Sequence, residues 1–302
     1  MNRLDSATRA RAIAALVEGN SIRATSRMTG IARNSITDLL VEVGAACAEY
    51  QDGALRNLPC KRIQCDEIWA FCYAKDKNVP AEMKGRLGYG SIWTWTAIDA
   101  DTKLIASWMV GSRYTESAHE FIQDLAGRLA NRVQLTTDGH KPYLEAIDYA
   151  FSGDIDYAML IKIYGDSGEN EKRYSPAEWV ASERKTISGS PARKHVSTSY
   201  VERQNLTMRM AMRRFTRLTN GFSKKLENHI AAVSLHFMRY NFVRIHQTLK
   251  VTPAMAAGVT NRLWEISDIV RLLEEREERL AVEQMEERIK SVYRHVLPAH
   301  YE

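Results

Sequence analysis

Apolar residues recur at helical spacing in three short stretches near the start of the chain. The spacing predicts helices over 10–17, 22–28 and 32–43, with a turn at Gly30 before the third. Two short helices, a turn and a third helix are the outline of a helix-turn-helix, whose last helix enters the major groove of DNA. The alternative for residues 1–50 is a three-helix module that contacts protein.

After Pro59, β-branched and aromatic residues alternate with turn signals. The predicted elements are strands over 62–73, 89–98 and 103–110, a helix over 115–129, a strand over 133–137, a helix over 143–151 and a strand over 155–163. Three antiparallel strands followed by β-α-β units form a mixed α/β sheet, the plan of ribonuclease H-like nucleotidyl transferases. We therefore predict a ribonuclease H-like core, flanked by helices, over 60–245.

The rest of the chain divides into a loop-like segment and a helical end. Residues 164–198 are rich in Gly, Ser, Pro and charge, which predicts a long loop or small insertion. Helical spacing returns over 200–218 and 224–242. The C-terminal segment 246–302 is predicted to contain a charged amphipathic helix over 262–293, which packs on its own protein or on a second subunit.

The composition is that of a globular protein. The chain has 302 residues, of which 45% are hydrophobic and 26% charged. These values exclude disorder, collagen and disulfide scaffolds and suit about two domains. No apolar run reaches the roughly 20 residues of a membrane-spanning helix, and residues 1–30 lack a signal-peptide core. The four cysteines lack the spacing of structural zinc sites, so we expect free thiols, a cytoplasmic location and no membrane partner.

The net charge of +5 is distributed unevenly. Residues 1–33 carry +4, residues 184–225 carry +10 and residues 262–302 carry −3. A solvated face normally mixes signs, so these concentrations of basic charge indicate nucleic acid as a partner. In the N-terminal helices, the predicted DNA-binding residues are Arg23, Arg27, Arg33 and Asn34.

Two acidic residues occur at or beside predicted strands. Asp66 lies inside a strand-like run, where aspartate is depleted, although an edge position facing water is an alternative. Glu67 points to the opposite face, so only one of the two is expected to share a site with later residues. Asp138 directly follows the strand over 133–137, at a carboxyl end where open α/β sheets bind ligands, but Thr-Asp-Gly is equally a turn.

Glu202 lies on the predicted helix over 200–218. At about 100° per residue, Arg209 and Arg213 fall within about 20° of Glu202, and other arginines form a basic flank beside an apolar packing stripe. A solvated charged face is the alternative. The predicted DNA-binding residues in this region are Arg203, Arg209, Arg213, Arg214, Arg217, Lys224 and Lys225.

Three carboxylates beside a basic surface are what metal-assisted phosphodiester chemistry requires. Two divalent ions about 3.5–4 Å apart activate the attacking oxygen and stabilise the leaving one during in-line displacement. Magnesium prefers hard oxygen ligands and retains several waters, so a few carboxylates suffice to bind it. Arginines beyond the metals neutralise and position the phosphate backbone.

The same residues resemble a known family. Asp66 in its strand, Asp138 after a strand and Glu202 at the start of a helix resemble the Asp-Asp-Glu (DDE) pattern of bacterial insertion-sequence transposases and retroviral integrases. Arg209 matches the basic residue that such enzymes often carry after the glutamate. Three sequence segments are most similar to those of the insertion-sequence-one transposase family: Gln64-Cys-Asp-Glu-Ile-Trp69, Leu135-Thr-Thr-Asp-Gly139 and Ser199-Tyr-Val-Glu202.

The resemblance implies a DNA transposase that binds transposon ends and catalyses cleavage and strand transfer. Asp66, Asp138 and Glu202 would hold two Mg²⁺ ions, for which Mn²⁺ would substitute. Transposon-end and target DNA, a homodimer or larger assembly and a nucleoid-associated location in the bacterial cytoplasm are further expectations. The alternatives are a non-catalytic DNA-binding regulator and a structure-specific nuclease without joining activity. Residues expected beside the site are His140, Asn205, Asn241, Arg244 and His246.

Overall fold

A computed structural model of the chain describes residues 4–164, 179–216 and 220–296. These residues form a mixed α/β fold around a six-stranded sheet with the order β3-β2-β1-β4-β5-β6. The strands are β1 Arg62–Cys72, β2 Gly90–Asp99, β3 Ile105–Gly111, β4 Gln134–Thr137, β5 Asp156–Tyr164 and β6 Trp179–Ser188. β1, β4 and β5 are parallel, whereas β2, β3 and β6 pair antiparallel to their neighbours. This arrangement is compatible with the predicted ribonuclease H-like fold.

Alternation along the strands divides the hydrophobic core into two layers. Ile63 and Cys65 of β1 face one side, and Ile68 and Ala70 face the other. The first side carries α4 Thr115–Ala126 and α5 Pro142–Phe151. The second side carries α6 Ser199–Ala211 and α7 Leu226–Met238. The sheet is therefore covered by helices on both faces.

The three predicted N-terminal helices are present as α1 Ser6–Val17, α2 Ile22–Thr29 and α3 Arg33–Ala54. Asp5 and Ser21 cap the first two by accepting backbone N–H bonds, and Gly30 ends α2 in the left-handed conformation, with φ of 74°. Their apolar faces belong to the same hydrophobic cluster as the α4–α5 side of the sheet.

The C-terminal helix packs on the N-terminal helices of its own chain. After the short α8 Pro253–Ala256, α9 Ile266–Val296 buries Ile269 and Leu273 in the main cluster. Ion pairs fasten it to α1 and α3, including Arg9 with Glu277 at 2.8 Å. From residue 281 to 291 every side chain of α9 is exposed. No helix among the described residues is both long and apolar enough to cross a membrane.

The predicted loop over 164–198 is wrong in its middle, because Trp179–Ser188 forms β6, an edge strand paired with β5. Its sequence is mostly polar and charged, as is typical of edge strands, so it shows no hydrophobic alternation. Backbone hydrogen bonds to β5 form the strand instead. The N-terminal part of the predicted insertion, 165–178, lies outside the described residues.

The predicted helix over 200–218 is also wrong beyond Ala211. Met212 has an extended backbone, with φ of −128° and ψ of 109°, and ends α6. The chain then turns so that Phe215 packs on His229 of α7, with ring centroids 5.2 Å apart. Tertiary burial of Met212 and Phe215 overrides the helical spacing, and Arg213 therefore does not continue the face that carries Glu202.

Asn241 fastens the end of α7 to the sheet. It lies in the helical turn Arg239–Val243, accepts a hydrogen bond from the Ile105 N–H and donates one to the Ile105 carbonyl, both at 3.0 Å. We expect Asn241→Ala to lower the free energy of unfolding by about 2–4 kcal/mol, because it leaves two buried backbone groups unpaired. Urea unfolding would measure this, with exposed Asn78→Ala as the control. A loss of stability equal to that of the control would contradict the assigned role.

Candidate active site

The strand register brings Asp66 and Asp138 together. β1 pairs with β4 from Arg62↔Gln134 to Gln64↔Thr136, and β4 ends at Thr137. Continued by two residues, the same register sets Asp66 opposite Asp138. Both carboxylates therefore lie where β4 stops and leaves a gap beside β1, as expected for a ligand site at strand carboxyl ends.

Asp66 is held by two hydrogen bonds. Its Oδ1 accepts from the Glu67 N–H and its Oδ2 accepts from Asn205 Nδ2, each at 2.8 Å. Burial, followed by repulsion from Glu67 and Asp138, raises the pKa of Asp66 to about 8. The buried Oδ1 of Asn205 has no hydrogen-bond partner among the described residues. Asn205, one of the residues predicted to lie beside the site, therefore fixes the orientation of the Asp66 carboxylate.

Glu67 also reaches the cluster, which corrects the expectation that only one of the adjacent acids could. Its side chain is buried on the α5 side, where it accepts from Arg113 Nε at 2.8 Å and Tyr143 Oη at 3.2 Å. One carboxylate oxygen from each of Asp66, Glu67 and Asp138 nevertheless lies within 4.8 Å of the others. Asp66 and Glu67 still point to opposite faces of β1, but β4 ends at Thr137, so the sheet no longer separates the two faces beside them and Asp138 lies close to both.

Burial and the nearby Asp138 raise the pKa of Glu67 to about 7. Arg113 opposes this effect and also stacks on Trp93, with its guanidinium carbon 4.4 Å from the ring centroid. A fixed cation thus stands directly beside the acidic cluster.

The start of α6 carries Glu202 to the same place. Gln64 Oε1, two residues before Asp66, accepts hydrogen bonds from the Tyr200 and Val201 N–H groups, which docks the first turn of α6 on β1. Glu202 Oε1 accepts from Thr198 Oγ1 and pairs with Lys162 Nζ, both at 2.5 Å. Asp66, Asp138 and Glu202 therefore line one cavity of about 760 Å³. Three cations also line it, namely Arg113, Lys141 and Lys162.

The donor set suits a hard divalent cation. All three close ligands offer carboxylate oxygen, the chemistry that magnesium prefers. Burial is the main cause of the raised pKa of Asp66, and repulsion from Glu67 and Asp138 adds to it; a bound cation would relieve this repulsion. Glu202 lies outside this closest set, and its Oε1 pairs with Lys162. The structure thus fits the predicted metal-binding chemistry and adds Glu67 to the candidate ligands.

The other residues predicted beside the site divide into two groups. His140 lines the cavity, and its backbone N–H donates to Asp138 Oδ1 at 2.9 Å. Burial lowers the pKa of His140, and its Nε2 has no hydrogen-bond partner among the described residues. Asn241, Arg244 and His246 do not line the cavity. Asn241 binds the backbone of Ile105, and His246 Nδ1 lies 3.0 Å from Thr248 Oγ1.

The predicted DNA-binding residues occupy several environments. Arg203 and Arg209 lie on α6, and Arg217 falls outside the described residues. Arg214 is partly buried rather than on an exposed flank, since it donates to Ser223 Oγ at 2.7 Å and burial lowers its pKa to about 10. Arg27, Asn34 and Lys225 are exposed, and Lys225 pairs with Glu227 at 3.2 Å.

Sequence reasoning missed the cations that surround the carboxylates. Lys162 lies near the end of β5 and Arg113 lies two residues after β3, so neither belongs to a local motif. The available signal was positional: Lys162 is a charged residue within an otherwise apolar strand, Met159–Ile163. Burying such a charged side chain in a sheet costs free energy unless an oppositely charged group pairs with it.

Comparisons with known proteins contribute little to the assignment. No protein-family model and no curated protein sequence matches the chain. A solved structure of a piggyBac transposase in a synaptic complex with hairpin DNA aligns with a TM-score of 0.39 and 11% sequence identity. The alignment covers 98% of this chain and 76% of that chain. A likeness this remote carries no weight for function, which rests on the residues of the site.

Proposed function

We propose that this protein is a DNA transposase, a metal-dependent nucleotidyl transferase that cleaves and joins phosphodiester bonds. The observation that carries the proposal is the convergence of Asp66, Asp138 and Glu202 from three elements in one cavity lined by cations. The Asp-Asp-Glu resemblance in the sequence supports the same chemistry. Membership of the insertion-sequence-one family, end recognition by α1–α3 and assembly into a homodimer or larger complex, in which α9 would take part, belong to this proposal.

The carboxylates of Asp66, Asp138 and Glu202 would hold two Mg²⁺ ions, with Glu67 adjacent to Asp138. When bound, the metal activates an attacking oxygen and stabilises a leaving oxygen at phosphorus. Asn205 and the Glu67 N–H fix the Asp66 carboxylate, and Thr198 orients Glu202.

Arg113, Lys141 and Lys162 stand around the carboxylates, where they can bind the non-bridging oxygens of a DNA phosphate. Lys162 now pairs with Glu202 Oε1, and its ammonium would be free to bind the phosphate if that oxygen held a metal ion instead. The protein's contribution is thus to orient the acids and to hold the negatively charged strand against them.

Metal-dependent cleavage and joining of DNA would test the proposal. With Mg²⁺ or Mn²⁺ and DNA carrying the terminal repeats that flank its gene, we expect strand cleavage that leaves 3′-hydroxyl ends and transfer of those ends into target DNA. No reaction is expected in EDTA. Products would be separated on denaturing gels and the junctions sequenced.

Two results would reject this function in favour of the alternatives. Nicks without joined products would indicate a structure-specific nuclease. DNA binding without cleavage, together with no calorimetric signal for Mg²⁺ or Mn²⁺, would indicate a non-catalytic DNA-binding regulator.

A further inference from the structure

A second cavity, of about 860 Å³, lies between the N-terminal helices and the segment that follows α6. Its walls meet closely, because a Cβ added at Gly19 would lie only 2.7 Å from the Ala211 carbonyl oxygen. Basic residues from the stretches 1–33 and 184–225, which are far apart in the sequence, therefore line the same cavity. We call this space the basic cleft; it is defined by Arg23, Arg33, Arg213, Arg214, Phe222 and Lys224.

The basic cleft lacks a counter-charge. Five of its lining residues are Arg or Lys, and none of the described lining residues is acidic. Within the described parts of the chain, no carboxylate pairs with Arg23, Arg33 or Arg213. Other arginines have such a partner, as Arg9, Arg113, Arg128, Arg132, Arg262 and Arg276 do. Unpaired cations that face one another across a cleft repel unless an anion lies between them.

The cleft also contains an aromatic ring beside its cations. Phe222 packs on Phe71 with ring centroids 4.7 Å apart, and Lys224 Nζ lies 3.7 Å from the Phe222 centroid. Lys224 is exposed and has a long flexible side chain, so it can move from the ring to a phosphate. A basic groove with an aromatic stacking surface is the usual chemistry of single-strand binding.

The size of the cleft favours a single strand over a duplex. Arg33, Thr37 and Leu40 lie on one face of α3, and this face forms one wall of the cleft. The cleft has room for roughly two nucleotides, judged against pockets that enclose small ligands, which suits one strand and not a duplex.

We propose that the basic cleft binds a single DNA strand, with phosphates between the arginines of its two walls and a base on Phe222. The choice of DNA rests on the proposed function. Glu202 and Ala211 mark opposite ends of α6 and border the two cavities, so about 14 Å of helix separates them. A DNA strand held in the cleft would thus be single-stranded within a few nucleotides of the acidic cluster.

Binding of a fluorescent oligothymidylate of about ten nucleotides, measured by anisotropy over a range of salt, tests the inference. We expect Arg33→Ala/Arg213→Ala to weaken binding at least about tenfold and to reduce the salt slope by about 1.4, or about 0.7 for each phosphate that an arginine no longer neutralises. Phe222→Leu, which keeps the apolar packing on Phe71, should weaken binding about five-fold or more with an unchanged slope. Lys84→Ala/Arg86→Ala removes the same charge from another exposed loop and should leave the slope unchanged.

A footprint on the wild-type protein keeps the test decisive if a variant misfolds. The oligonucleotide should protect Lys224 from amine acetylation and leave Lys84 reactive. An unaltered salt slope in the folded double variant, equal acetylation of both lysines, or tighter binding of a blunt duplex of the same sequence would overturn the proposal. The binding and acetylation assays omit divalent metal and so do not depend on catalysis. Absence of strand transfer in Mg²⁺, together with intact oligonucleotide binding, would reject the proposed function alone.

Discussion

Asp66→Asn is expected to make the metal-free protein more stable at pH 8 and to abolish metal-dependent strand cleavage in the same molecule. The pKa of Asp66 is raised to about 8 in the folded protein, from 3.8 in its ordinary state. The folded state therefore holds a proton that the unfolded chain releases. The free energy of unfolding of the wild-type protein consequently decreases as the pH rises from about 4 to about 8. Asparagine stays neutral, so the variant should not show this loss. Its Oδ1 can accept from the Glu67 N–H, and its Nδ2 can donate to Asn205 Oδ1 once the Asn205 amide rotates.

The expected gain is on the order of 2–4 kcal/mol at pH 8 and near zero at pH 4. At the same time, removal of a carboxylate that is proposed to bind metal should lower the cleavage rate at least about 10³-fold, or about 4 kcal/mol of transition-state stabilisation.

Thermal unfolding at pH 4 and pH 8, in EDTA or with Mg²⁺ in place of EDTA, measures these effects. Wild-type protein should gain stability from Mg²⁺, more at pH 8 than at pH 4, because the metal must displace protons at the lower pH. Asp66→Asn should lose most of this response. Exposed Asp148→Asn serves as the matched control and should behave as wild type. If the control and Asp66→Asn had the same pH dependence as wild type, the acidic cluster would not be as protected from solvent as the structure indicates.

Gly44→Leu is expected to destabilise the whole fold by about 3 kcal/mol or more. Gly44 is where α3 makes its closest approach to α7, since an added Cβ would lie 2.5 Å from Ala231 Cα. Ser234 Oγ donates to the Gly44 carbonyl at 2.7 Å, and Gln51 Nε2 donates to the Ser234 carbonyl at 3.2 Å. A larger residue would force the helices apart and break these hydrogen bonds. Even Gly44→Ala should be destabilising, although alanine favours helices by about 1 kcal/mol.

The same helix supplies the control for this substitution. A Cβ at Gly53 would meet nothing within 4 Å. Gly53→Ala should therefore be neutral or stabilise the protein by up to about 1 kcal/mol. Urea unfolding of both alanine variants would decide the matter. If the two had equal stability, the N-terminal helices would not depend on close contact with α7.

Hydrophobic pattern alone was enough to predict the central elements of the sheet. The five strands from β1 to β5 and the helices α4 and α5 lie within a few residues of their predicted bounds, because each buries an apolar face with a clear period. β6 was missed for the opposite reason, since an edge strand exposed to solvent needs backbone partners but no apolar face. The predicted helix beyond Ala211 failed where burial of Phe215 outweighed helical spacing.

The sequence by itself determined which residues are chemically unusual: Asp66 in a strand, Asp138 after one, and Glu202 within a strongly basic stretch. Only the tertiary structure decided what meets them. It added Glu67 to the acidic cluster, placed Arg113 and Lys162 beside it, and combined the N-terminal arginines with Arg213 in one cleft. Local spacing fixes the face of an element on which a residue lies, but it carries no information about where a neighbouring strand ends. The end of β4 at Thr137 opens the gap that the carboxylates share.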